Sequence, residues 1–270
     1  MPSMDEEHYF EKIGEYKLLA KHEVGQNFLI DASVAKKIVA LAELQPGDKA
    51  LEIGSGAGSL SYFIAQSEAE SDLIDIDEAL VLKLQNDFSG QKNVHPEMGN
   101  IMRFDLAPYN KIIGNLPYYI TSGILERVLL TASNAALAVL MVQKEVVARL
   151  SAPVGDEDYG PLPILLRYRA EFVKGFLVPR TSFSPAPHVD SSVFVLRFRK
   201  DTSMKEAQAL YELTSKLFLH RRKTILNNLE TVVNDPLKAK AILEKAAIRS
   251  TERPEDLSLE DYRRLLSQLY

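Results

Sequence analysis

The chain has 270 residues, of which 46% are hydrophobic and 26% charged, the ordinary composition of a globular protein with room for a sizeable core. It has no cysteine, which excludes disulfides, thiolate metal sites and cysteine nucleophiles. The longest apolar run, Ala135 to Val142, falls far short of the roughly 20 residues of a membrane-spanning helix, and the acidic N-terminus lacks the apolar stretch of a signal peptide. These features lead us to expect a cytoplasmic protein.

The formal net charge of −5 is unevenly spread. Residues 1–150 hold 13 Lys and Arg against 21 Asp and Glu, whereas residues 167–223 hold 12 against 5. A locally basic segment on an acidic protein is either a solvated surface or a phosphate-binding face.

In chain order, residues 1–22 are polar, with weak helical periodicity, and are expected to form an N-terminal arm. Val34, Ile38, Leu41 and Leu44 recur on one helical face within residues 31–44, with Asp31 or Ser33 as the cap. Lys49 to Ile53 predicts a short buried strand ending in Gly54-Ser-Gly-Ala-Gly58, followed by a helix over 59–66. Strands are predicted at 72–76, 94–98, 111–114 and 136–142, with helices at 78–88 and 122–130 between them. This alternation predicts an α/β fold with a parallel, doubly wound sheet. Residues 151–163 are predicted as a Pro/Gly-rich loop, and 170–178 with 193–199 as a closing pair of strands. From about Met204 onward the pattern is helical, and Pro236 and Pro254 separate at least three short helices. The expected organisation is an arm at 1–22, a nucleotide-binding-type sheet domain at 23–200 and a small all-α domain at 201–270.

Two constellations carry chemistry. Glu52 precedes Gly54-x-Gly56-x-Gly58 where a strand meets a helix, and closely spaced glycines let the backbone approach a ligand. The G-x-G-x-G spacing with an acid two residues before it favours S-adenosylmethionine over a dinucleotide, a plain tight turn being the weaker alternative. Asp75 and Asp77 lie about 20 residues on, where an acid accepts hydrogen bonds from ribose hydroxyls. Asp75 is the preferred ligand, and Asp77 suits a helix cap. The second constellation, Asn115-Leu116-Pro117-Tyr118, ends the fourth strand, on the side of the sheet where ligands bind. An exocyclic adenine amine is a poor nucleophile because its lone pair is delocalised into the ring. The Asn115 side-chain carbonyl and the Leu116 backbone carbonyl, oriented by Pro117, offer acceptors to its two protons, and Tyr118 offers a stacking face for an extruded base.

These residues, in order, resemble the ribosomal RNA adenine N6,N6-dimethyltransferase family. The resemblance also rests on Gly25-Gln-Asn-Phe-Leu29, Gln143-Lys-Glu-Val146 with Arg149, Tyr159-Gly160, Ser182 to Ser191 and Leu217 to Thr224, and spans about residues 21–230. It implies a Rossmann-like S-adenosylmethionine-dependent methyltransferase sheet, mostly parallel with one antiparallel closing strand, and a small all-α C-terminal domain. It implies dimethylation of two adjacent adenines in the 3′-terminal hairpin of small-subunit RNA, by a monomer acting on the RNA or a pre-ribosomal particle. Gln26, Asn27 and Leu29 would line the methionine end of the cofactor. Glu52, Gly54, Gly56, Gly58, Asp75, Ile76, Asn100, Ile101 and Asn115 complete the cofactor set. Phe183 would face the target adenine opposite Tyr118, although a core phenylalanine is the bland alternative. Arg149, Lys216, His220, Arg221, Arg222 and Lys223 would contact RNA, the last five on a basic helix. Arg221 and Arg222 cannot point the same way there, so one is expected to be structural. Arg167 and Arg169 are further basic candidates, and His188 reads as an RNA or surface contact. The family's Asp after the third strand is Asn100 here, which keeps an acceptor but loses charge assistance. No metal is expected. The alternatives are a large-subunit RNA adenine methylase of the antibiotic-resistance type and a non-catalytic assembly or transcription factor on the same scaffold.

Overall fold

The computed structural model describes residues 5–16 and 26–269. Gly25 and parts of the expected arm lie outside the described residues. The chain divides into two compact units, residues 1–147 with 172–198, and residues 148–171 with 199–270.

The first unit is built on a seven-stranded sheet. In chain order its elements are α1 (Glu6–Glu15), β1 (Phe28–Leu29), α2 (Ala32–Leu41), β2 (Lys49–Ile53), α3 (Ser61–Ile64), β3 (Glu70–Asp75), α4 (Glu78–Asp87), β4 (Val94–Met98), β5 (Lys111–Asn115), α5 (Thr121–Thr131) and β6 (Leu137–Gln143). The helix α6 (Lys144–Leu150) leads into the second unit, whose α7 (Pro161–Arg169) precedes the return strand β7 (Ala170–Val178). Then come β8 (Phe183–Ser184) and β9 (Ser191–Phe198). The sheet order is β4-β3-β2-β5-β6-β9-β7. Strands β2 to β6 pair in parallel, and β9 runs antiparallel to β6. Every residue of β2 beyond Lys49 and of β6 before Gln143 is buried, as expected of strands covered on both faces.

The order reverses between β2 and β5, and that switch point opens the crevice where α/β folds bind ligands. Asp31 caps α2 by accepting from Val34 N–H at 3.2 Å, and Asp77 caps α4 by accepting from Ala79 N–H at 3.1 Å. Part of the expected arm is a docked helix. Tyr9, Phe10 and Ile13 of α1 are buried in one apolar cluster with Tyr62, Phe63 and Leu84.

The second unit holds α7 together with α8 (Met204–Leu217), α9 (Ile225–Val233), α10 (Pro236–Lys245) and α11 (Leu259–Ser267). Pro161 at the first position of α7 is compatible with a helix, since that N–H has no intrahelical partner. The loop predicted over 151–163 therefore ends at residue 160, three residues early. The Tyr159 hydroxyl of the Tyr-Gly motif donates to Leu257 O at 3.0 Å, which makes it a packing residue of this unit.

Candidate active site

A cavity of about 330 Å3 opens at the carboxyl ends of β2, β3 and β5. Eleven of the twelve expected cofactor residues line it, namely Gln26, Asn27, Leu29, Glu52, Gly54, Gly56, Asp75, Ile76, Asn100, Ile101 and Asn115. Four of the expected catalytic residues, Asn115, Leu116, Pro117 and Tyr118, line the same cavity.

The glycine loop is held from below. Gly54 adopts φ of +68°, a left-handed conformation, and its N–H and that of Ser55 donate to Ile74 O at 2.9 and 3.1 Å. The Asp75 carboxylate accepts from Gly56 N–H and from Asp77 N–H, both at 2.9 Å. Burial raises its pKa and the backbone bonds pull it back. Each of its oxygens keeps a second acceptor site for a ribose hydroxyl.

Glu52 is fully enclosed, with burial pushing its carboxyl up to about 8. Its neighbours are hydroxyls, Ser61 donating to Oε2 at 2.5 Å, and no cation pairs with it among the described residues. A buried acid in a ligand cavity with no internal counter-charge fits the cationic methionine end of S-adenosylmethionine. The donor set around it passes the same test, with an acid at the second strand tip and apolar Ile76 and Ile101 beside it. Asn100 Oδ1 accepts from Met102 N–H at 2.9 Å, so the amide that replaces the family's acid also folds its own turn.

The tetrapeptide is fixed at both ends. Leu116 N–H donates to Met141 O of β6 at 3.0 Å, and Thr121 Oγ1 donates to Pro117 O at 3.0 Å. The hydroxyls of Tyr118 and Ser191 lie 2.7 Å apart, and burial raises the Tyr118 pKa, which keeps it neutral.

Some expected residues lie elsewhere. Phe183 is outside the cavity lining, buried in the apolar cluster and paired with Leu29 through β8 and β1. Gly58 is not in the lining either. A Cβ there would come within 2.4 Å of the Tyr9 hydroxyl oxygen, so the third glycine admits α1. The expected basic helix is not continuous. Lys216 lies in the last turn of α8, Phe218–His220 form a 3-10 turn, and residues 221–223 form a turn before α9. Asn228 of α9 ties this segment by donating to the carbonyls of His220, Lys223 and Thr224. Arg221 is the structural member of its pair, donating to Asp156 O at 2.6 Å and to Glu157 O, and lying 3.7 Å from Glu255. Arg222 and Lys223 are exposed without ion-pair partners among the described residues, and Arg149 is exposed on α6. Arg167 donates to Pro163 O at 3.1 Å and to Ala152 O, while Arg169 is buried. His188 is exposed.

Sequence reasoning missed Tyr119, a cavity residue that is 55% exposed, and assigned no role to Ser191, although Ser191 closes one of the quoted motifs.

A model of the family described as ribosomal RNA adenine dimethylase matches residues 18–269. The chain belongs to that family. The dimethylase is 34% identical over 275 residues to the ribosomal RNA small subunit methyltransferase A of Malacoplasma penetrans, covering all of this chain and 99% of the relative. It is 36% identical over 268 residues to the Streptococcus thermophilus protein of that name, covering 92% and 91%. A crystal structure of a dimethyladenosine transferase from Plasmodium falciparum superposes with a TM-score of 0.76 at 25% identity, covering 87% of the dimethylase and 94% of that chain. The 23S rRNA methyltransferase ErmE superposes with a TM-score of 0.66, covering 90% and 99%. No helix among the described residues of the dimethylase is long and apolar enough to cross a membrane.

Proposed function

We propose that the cavity binds S-adenosylmethionine and that the enzyme dimethylates N6 of two adjacent adenines in the 3′-terminal hairpin of small-subunit ribosomal RNA, in the cytoplasm, during subunit assembly. The observation that carries this reading is the placement of Asn115 to Tyr118 in one cavity with the glycine loop and Asp75. The names of the curated relatives support the small subunit as the source of the RNA.

When bound, S-adenosylmethionine supplies an electrophilic methyl group. The chain's own residues do the rest. Glu52 takes the cationic methionine end, and Asp75 accepts from ribose hydroxyls. The Asn115 side-chain carbonyl and the Leu116 carbonyl accept from the two amine protons and favour the rehybridised nitrogen. Tyr118, braced by Ser191, stacks on the extruded base. No strong base is required, because the methylated amine is cationic and loses its proton readily. We assign the transfer chemistry to residues 23–200, and RNA contacts to residues 201–270 together with Arg149.

Labelled methyl transfer to unmethylated small subunits, followed by nucleoside analysis, tests this reading. N6,N6-dimethyladenosine in the small-subunit RNA is the expected product. Label in large-subunit RNA alone would overturn the substrate, and absence of cofactor binding would overturn the mechanism.

A further inference from the structure

We propose that Lys83 of α4, which lies outside the cavity lining, is a positioning residue that holds the glycine loop in its cofactor-accepting shape, under a cover formed by α1. The proposal rests on the reading that the cavity binds S-adenosylmethionine and adds the residue that shapes its wall from behind.

The Lys83 Nζ donates to the backbone carbonyl of Ala57 at 2.6 Å. Ala57 lines the cavity and is 2% exposed, so its carbonyl depends on a donor from within the protein. The other side of the same peptide unit is also held, since Gly58 N–H donates to Ser55 O at 2.9 Å. Two peptide units earlier, Gly56 N–H is held by Asp75. An acid therefore grips the loop at one place and a cation at another.

The N-terminal helix completes the arrangement. The Tyr9 hydroxyl accepts from Lys83 Nζ at 3.3 Å, and Asp87 Oδ2 lies 2.7 Å from the same nitrogen. The three N–H groups of the ammonium thus have three partners, from α1, the glycine loop and α4. Nζ also lies 4.6 Å from the ring centroid of Tyr9 and 5.3 Å from that of Tyr16, whose π faces attract a cation. The Lys83 side chain is only 12% exposed under this cover.

Packing alone does not call for a lysine here. Burying an ammonium costs desolvation that an ion pair only partly offsets, and an apolar side chain of similar shape commonly stabilises a fold as well. An apolar side chain cannot hold the Ala57 carbonyl, however. Without that bond the peptide unit between Ala57 and Gly58 is free to turn, and the Gly58 N–H leaves Ser55 with it.

Calorimetric titration of the full-length protein with S-adenosylmethionine tests the assignment, alongside 15N spectra of the cofactor-free protein. Lys83→Met keeps the stem and removes the ammonium. Its cofactor Kd should rise about tenfold, the effect of losing one charge-assisted bond, and the amides of Gly56, Ala57 and Gly58 should shift. Asp87→Asn weakens the ion pair but leaves the bond to Ala57, so its Kd should stay within about twofold of the unsubstituted protein. A lower melting temperature in both variants with Kd unchanged in both would overturn the proposal and make the pair purely structural.

Chemical rescue provides a second readout. The chain has no cysteine, so Lys83→Cys carries a single thiol. Bromoethylamine alkylates that thiol, a carbon–sulfur bond forming as bromide leaves, and returns an ammonium on a side chain of the original length. Kd should then recover to within about threefold of the unsubstituted protein, whereas the neutral adduct of iodoacetamide should leave it weak. Equal affinity after the two reagents would overturn the proposal. Absence of binding by the unsubstituted protein would overturn the cofactor reading and this proposal with it, whereas binding there with an unchanged Kd in Lys83→Met overturns the proposal alone.

Discussion

The Asp75 carboxylate accepts a hydrogen bond from the Gly56 backbone N–H at 2.9 Å, joining the tip of the second parallel strand to the middle of the glycine loop. One side chain thus sets the loop's position and faces the cavity. In Asp75→Asn, one oxygen becomes a donor that clashes electrostatically with a backbone N–H. A charge-assisted bond is worth about 1.5–3 kcal/mol, so the cofactor Kd should rise roughly 10- to 100-fold by calorimetry. An unchanged Kd would remove Asp75 from the site.

Glu52 makes stability and binding depend on pH. Its folded pKa of about 8 lies above the ordinary 4.5, so the protonated form is favoured in the free protein. The resulting stabilisation is full below about 4.5 and is lost as pH rises through about 8. The ligand-free melting temperature should therefore fall between pH 6 and 9, and Glu52→Gln should flatten that fall. A cationic group bound beside Glu52 favours its ionised form, so cofactor binding at pH 7 should release close to one proton. Titrations in buffers of different ionisation enthalpy measure this, and no release would place the cation elsewhere.

Asn115→Ala should abolish methyl transfer while changing cofactor affinity less than about threefold, because its proposed work is on the amine. A rate loss of at least 100-fold in single-turnover assays is expected, within the range for removing one oriented polar catalytic group. A parallel loss of cofactor binding would make Asn115 a cofactor residue first.

Ser191→Ala tests how Tyr118 is held. The lost hydrogen bond is worth about 1 kcal/mol, so transfer should slow about fivefold with cofactor affinity intact. If the rate is unchanged, the base does not depend on a fixed Tyr118 ring.

The paired arginines should separate cleanly. Arg221→Ala removes the ties to residues 156 and 157 and should lower the melting temperature by a few degrees. Arg222→Glu with Lys223→Glu should leave stability nearly unchanged but reduce the magnitude of the salt slope of RNA binding by about 2. An unaltered slope would take this turn off the RNA.

Much of the first unit was legible because parallel strands covered on both faces are short apolar runs with glycine or acid at their ends. Lys49 to Ile53 emerges with its expected limits. The helix at 161–169 was hidden because Pro161 and Pro163 resemble loop residues until their place in the first turn is known. The pairing of Phe28–Leu29 with Phe183–Ser184 was hidden by the long stretch of chain between them, which no local pattern spans.

The amino-acid sequence by itself determined the alternating architecture, the glycine loop and the tetrapeptide, because each is written in residues close together along the chain. Tertiary structure decided which candidates do which work. It put Phe183 in the core, made Gly58 a passage for Tyr9, and bound Arg221 to its own unit while leaving Arg222 exposed. Those outcomes depend on side-chain direction and on burial by distant segments. Neither quantity exists until the chain has folded and its remote parts compete for the same space.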